Sequence, residues 1–168
     1  MALMIDRETG SDKAEILVAV EKVTGVRFRE KKLLEVALGM HPKRRKLKVF
    51  VCLGKDFSGS FEQTQITPST LDFFGNCLVD FLAAKFAFDN SSPKTLKKRH
   101  TNMISNVNLA RTFDRLYLEQ YVAKGDRVSQ LDNKSKGNVV ESILAAIYLD
   151  GGLESATKFF DRWIVPGS

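Results

Sequence analysis

Apolar residues recur at helical spacing over most of the chain. Ile16, Leu17, Val20 and Val23 follow Ser11 and Asp12, with Glu15 placed as in a capping box, and Gly25 ends the run. A second short helix is predicted over 32–38, with Leu33, Leu34, Ala37 and Leu38 inward and Gly39 as its stop. From Pro68, the positions Leu71, Phe74, Leu78, Phe81, Leu82 and Phe86 mark one buried face over about five turns. Residues 90–92 break that helix. Ser92-Pro93 opens the next, Ser92 as N-cap and Pro93 at the first helical position. Ser105 opens another, leading into Val107, Leu109, Ala110 and Phe113. The span 134–149 is apolar and helical and is stopped by Gly151-Gly152; an amphipathic helix over 153–164 carries Phe159, Phe160 and Trp163.

Between these helices the pattern changes. Lys43, Arg44, Arg45, Lys46 and Lys48 form a basic run, and Val49 to Leu53 reads as a short strand or an apolar loop. Residues 54–67 are polar and rich in Gly and Ser, hence an expected exposed loop, and 125–133 reads as a polar linker. The class expected is all-α with one small irregular insertion.

At 168 residues and 43% hydrophobic, the chain suits one domain with one core. A net charge of +6 and a pI near 9.4 favour a polyanionic partner such as RNA. Cys52 and Cys77 lack metal-ligand spacing, and Cys77 falls in an apolar helical pattern that predicts a buried thiol. No apolar run approaches the roughly 18 residues of a membrane span, and residues 1–10 lack a signal core. A soluble intracellular protein is expected, with no membrane partner.

Two helices carry polar positions that their apolar faces do not explain. Ser69, Asp72 and Asn76 are spaced i, i+3, i+7 and share a face, with Gly75 removing a side chain where something approaches closely. Asn138 and Glu141 share a face of the later helix, whose remainder is Val139, Val140, Ile143, Leu144 and Ile147. Crossing through these faces would join Asp72, Asn76, Asn138 and Glu141. Taken alone, the pattern equally describes two solvated faces or a hydrogen-bonded polar cluster.

Residues 69–76, STLDFFGN, resemble the ribonuclease III signature E-x-L-E-F-L-G-D. Residues 134–152, KSKGNVVESILAAIYLDGG, resemble the same family's K-x-x-A-D-x-x-E-A-L-I-G-A-I-Y-L-D-G-G. SPKTLKKRHTNMISNVNLA at 92–110 is similar to S-P-x-x-L-x-x-x-R-x-x-L-V-S-N-x-x-L-A, and 33–42 is similar to L-L-x-x-A-L-x-H-x-S. The resemblance implies a single ribonuclease III-type helical endonuclease domain over 1–168, dimeric, with an insertion at about 43–67. No double-stranded-RNA-binding domain is recognised in the chain.

In that family four carboxylates hold divalent metal, which activates water against a phosphodiester. Carried onto this chain, the Glu of the signature is shortened to Asp72, its Asp is Asn76, the Asp of the later helix is Asn138, and the last Glu is kept as Glu141; the signature's opening Glu is Ser69. An amide oxygen brings no formal charge, so the expected site charge falls from −4 to −2. Magnesium demands oxygen ligands in an octahedron at about 2.1 Å, so at most one weakly held ion between Asp72 and Glu141 is expected, and two-metal cleavage of duplex RNA is expected to be lost. Asp80, one turn beyond Asn76, reads as a surface or interface residue. The resemblance also makes Phe73 an interface residue of a homodimer, or of a heterodimer with another ribonuclease III-type chain. Lys94, Lys97, Lys98, Arg99, Lys134 and Lys136 are candidate phosphate contacts. His100 reads as a surface residue and His41 as structural. Three outcomes stay open: an RNA-binding homodimer, a noncatalytic partner or ribonucleoprotein subunit, and an endoribonuclease turned toward single-stranded RNA. A protein-interaction scaffold is the alternative outside RNA chemistry.

Overall fold

The computed structural model describes residues 10–52, 61–122 and 131–167. The expected N-terminal lead-in, the first part of the 54–67 loop and most of the 125–133 linker lie outside the described residues. In chain order the elements are α1 (Gly10–Thr24), α2 (Lys31–Ala37), β1 (Leu47–Cys52), β2 (Phe61–Ile66), α3 (Pro68–Asn90), α4 (Pro93–Ile104), α5 (Asn106–Arg115) and α6 (Asn133–Phe159). A single 3-10 turn, Leu118–Gln120, follows α5, and a π-turn, Phe160–Ile164, follows α6.

Helix α6 is the axis of the fold. Val140, Ile143, Leu144, Ala145, Ala146 and Ile147 are all buried, so the middle of this helix is apolar around its circumference and must be enclosed. Helices α2, α3 and α5 and strand β1 pack around it. Asp132 caps its start by accepting from the Ser135 backbone N–H at 2.7 Å. The break foreseen at Gly151-Gly152 is a sharp kink at Gly152, whose φ of 79° and ψ of −175° suit only a residue without Cβ.

Local sequence explains most other boundaries. Thr67 and Thr70 form a reciprocal cap on α3, with Pro68 in its first turn. Ser105 caps α5 through the Asn108 backbone N–H at 3.2 Å. Ser92 is the N-cap residue of α4, but its hydroxyl meets the Thr95 hydroxyl instead of a backbone N–H. Helix α1 is already under way at Gly10, so Ser11 does not cap it.

The exposed-loop reading of 54–67 is corrected at its end. Phe61–Ile66 is a strand, antiparallel to β1, with Leu47 opposite Ile66 and Cys52 opposite Phe61. β1 shows the alternation of a half-buried strand, with Leu47, Val49 and Val51 inward. β2 lacks that signal because Glu62, Gln63 and Gln65 are exposed; its order comes from backbone pairing with β1.

Two further expectations fail on α3. Cys77 is exposed, and so is Phe81 at 52%. They share an uncovered stripe with Phe73 and Phe88, which are 73% and 75% exposed. The buried face lies instead along Leu71, Gly75, Leu78, Val79 and Leu82. Among the described residues no helix is long and apolar enough to cross a membrane.

Candidate functional site

Helices α3 and α6 cross at Gly75. A Cβ placed there would lie 2.2 Å from the carbonyl oxygen of Glu141, so only glycine permits this approach. The crossing joins the two polar faces. The Asn76 side-chain amide donates to Glu141 Oε1 at 3.3 Å, and the Ser142 hydroxyl donates to Asp72 Oδ1. Asp72, Asn138 and Ser142 line one cleft of about 240 Å³, together with His41, Lys43 and Ser135. Of the four residues expected to meet, Asn76 and Glu141 are hydrogen-bonded, Asp72 pairs instead with Ser142, and Asn138 shares only the cleft with Asp72.

Ser69, at the opening acid position, turns away from the cluster. Its hydroxyl and its backbone N–H both donate to the Lys43 carbonyl, at 3.1 and 3.4 Å, tying α3 to the basic run. Asp80 accepts from His100 at 3.0 Å on the surface. His41 meets Glu35 at 2.9 Å, and Lys13 meets the same carboxylate at 2.6 Å, which gives this histidine a structural partner beside the cleft.

Ser142 was missed as a site residue. It stands where the resembling motif has Ala, and that departure was the available signal. Its hydroxyl occupies one Asp72 oxygen, much as the Asn76 amide occupies one of Glu141. Asp150 was missed too. Its buried carboxylate accepts from the backbone N–H groups of Arg29 and Glu30, at 2.8 to 3.1 Å, and so fixes the entry to α2.

The donor set tests poorly against a metal pair. It offers two carboxylates and two neutral amides, and each carboxylate already accepts a hydrogen bond from its neighbour. Among the described residues no group of three or more His, Cys, Asp or Glu side chains is arranged to hold a metal ion. Two carboxylates and two neutral amides are a poor match for the anionic oxygen ligands that two divalent ions demand.

Burial pushes the Glu141 carboxyl above the usual carboxylate range; the Asn76 amide draws it back, and the Asp72 charge adds to the rise. A raised carboxyl binds its proton more tightly folded than unfolded. Stability linked to it is fully present below the unfolded value and is lost as pH rises through the folded one. Glu141→Gln keeps an acceptor for Asn76 while removing the buried charge. It should raise the melting temperature at neutral pH by a few degrees and leave it unchanged in acid; a lower melting temperature at pH 7 would contradict this account.

The basic candidates separate by burial. Lys94, Lys97 and Lys98 on α4 and Lys134 at the start of α6 are exposed. Arg99 donates to the Asn90 carbonyl at 2.7 Å and lies over the Phe86 ring, so it also fastens the α3–α4 turn. Lys136 is removed from the phosphate-binding set. It is buried, its ammonium lies 2.8 Å from an Asp114 oxygen and 5.7 Å from the Phe113 ring centroid, and desolvation of an amine demands such partners.

The ribonuclease III domain model matches residues 69–152, from the polar face of α3 to the kink in α6. Ribonuclease 3 of Sinorhizobium fredii is 31% identical over 153 residues, covering 89% of this chain and 58% of that protein. Ribonuclease 3 of Agrobacterium fabrum is 29% identical over 154 residues, covering 89% and 59%. The chain thus spans less than two thirds of the length of these relatives. The fold is similar to the nuclease domain of ribonuclease III from Campylobacter jejuni, with a TM-score of 0.65 at 19% identity, over 88% of this chain and 95% of that one. Matched across half its length by the family model and folded alike, this chain belongs to the ribonuclease III domain family.

Proposed function

We propose that the chain is an RNA-binding ribonuclease III-type domain that does not cleave duplex RNA by the two-metal route. The observation that carries this reading is the pairing of the acids: Glu141 with the Asn76 amide, Asp72 with the Ser142 hydroxyl. Four carboxylates so close would repel one another and need cations; two carboxylates held by neutral donors form a self-sufficient cluster. RNA binding is supported by the net charge of +6 and by Lys94, Lys97, Lys98, Arg99 and Lys134. Magnesium, if held at all, would lie between Asp72 and Glu141.

Matched duplex and single-stranded RNAs incubated with and without magnesium test the proposal. The expected result is an intact duplex, bound with an affinity that falls steeply with salt. Replacing Lys97 and Lys98 with Ala should lower the log–log salt slope by about 1–2. Efficient magnesium-dependent cutting of the duplex, or salt-insensitive binding, would refute it. Residual cutting of single strands that disappears in Glu141→Ala would favour the endoribonuclease alternative.

The stripe of Phe73, Cys77, Phe81 and Phe88 supports assembly with a second copy or another ribonuclease III-type chain, since monomers rarely expose such a patch. Phe73→Ala should weaken a dimer by about 2 kcal/mol, measured by sedimentation, and should speed alkylation of Cys77. A wild-type monomer at high micromolar concentration would end this reading.

A further inference from the structure

A basic groove lies away from the Asp72 and Glu141 carboxylates, between the end of α1 and the last turns of α6. It encloses about 380 Å³ and is lined by Arg27, Ser155, Lys158, Arg162 and Trp163 together with the Thr24-Gly25 turn. That volume is within the range of small-ligand sites, about 300–1,000 Å³. Three cations line it and no carboxylate does. Lys158 pairs with Glu154 at 2.5 Å.

Its aromatic wall is held in place. The Trp163 indole N–H donates to the Thr24 carbonyl at 3.3 Å. On either side of the peptide that follows this ring, the Thr112 hydroxyl donates to the Trp163 carbonyl at 2.8 Å, and the Asn108 amide donates to the Ile164 carbonyl at 2.8 Å. Guanidinium carbons of Arg162 and Arg115 lie 5.1 and 5.5 Å from the indole centroid. Gly25, at φ +75°, leaves room for the Arg162 guanidinium, which comes within 3.4 Å of where a Cβ would be. These guanidinium groups lie over the ring itself, so a base stacks on the indole by taking the place of one of them, and the displaced guanidinium is then a neighbouring phosphate donor.

Resting on the RNA-binding reading above, we infer that this groove binds a segment of single-stranded RNA, with a base against Trp163 and phosphates on Arg27, Lys158 and Arg162. An acidic peptide would use the cations but not the ring. A duplex, whose bases are stacked internally, would use the phosphate contacts alone.

Trp163 is the sole tryptophan of the chain, so its emission reports directly on this groove. The experiment titrates the whole chain with a short oligouridylate, a matched duplex and a polyglutamate, reading tryptophan fluorescence and, in parallel, anisotropy of labelled RNA. Oligouridylate should quench Trp163 with a salt-dependent midpoint, and the exposed pair Arg27→Ala with Lys158→Ala should raise that midpoint by at least about fivefold. Anisotropy showing RNA bound while Trp163 emission is unchanged, or quenching indifferent to the double variant, would overturn the groove and leave the α4 reading standing. Equal quenching by polyglutamate would make it a peptide site and overturn the inference. No RNA bound in either readout would overturn both. Circular dichroism confirms that the double variant is folded.

Discussion

Gly75→Ala should cost about 3 kcal/mol of folding stability or more, lowering the melting temperature by roughly 6–12 °C. The added Cβ would meet the Glu141 carbonyl oxygen at 2.2 Å and its carbon at 2.5 Å. Both are backbone atoms in the middle of a helix buried on all sides, so no side chain can rotate away and α6 itself must shift. The shift would part Asn76 from Glu141 and Asp72 from Ser142, so the pH dependence assigned to Glu141 should change with it. Urea and thermal unfolding measure the loss. A penalty below about 1 kcal/mol would show that the helices accommodate a methyl group, and that their close crossing is not what sets the site.

Restoring acids with Asn76→Asp and Asn138→Asp together should give the opposite signs with and without magnesium. The formal charge of the cluster changes from −2 to −4. Without metal, mutual repulsion and the loss of the Asn76 donor should destabilise the fold and hold Glu141 higher still. With magnesium, binding to the folded state should recover that stability as the concentration rises above its dissociation constant. Calorimetric titration should find magnesium at least about tenfold tighter than in wild type, about 1.4 kcal/mol. Equal, weak affinities would mean that geometry, and not the two amides, limits metal binding. Tight binding of two ions by the wild-type chain would overturn the proposed function.

The helices and the two polar faces were legible for a physical reason. Their signals are local: a start at Ser105, a glycine at the crossing, and polar residues one and two turns apart on two helices, whereas the Thr67 and Asp132 caps emerge only from the structure. Where the reading failed, the deciding contact is distant in sequence or is one that periodicity cannot report. Lys136 looks like the flank of a basic segment, and only Asp114 and the Phe113 ring, some twenty residues earlier, make it a buried cation. Cys77 and Phe81 have apolar periodicity, but periodicity reports that a face is apolar, not what covers it. β2 has almost no side-chain signature because its order is supplied by the backbone of β1. At Ser142 the side chain that matters most differs by one oxygen from the alanine of the resembling motif, and its significance depends on Asp72 lying 70 residues earlier in sequence.

The contacts that close this fold also set the order in which it can be made. Arg29 and Glu30 await an Asp150 carboxylate 121 and 120 residues downstream, and the Thr24 carbonyl awaits an indole 139 residues away. During synthesis, α1 to α5 leave the ribosome before α6. Helices α2, α3 and α5 carry apolar faces that pack on α6, and closing such long loops is slow compared with forming local helix. Until Asn133–Phe159 emerges, the nascent chain has the α3–α4 pair and the β1–β2 hairpin but not the helix at the centre of its core. That interval is when chaperones and proteases find it, and the core closes only once α6 is available.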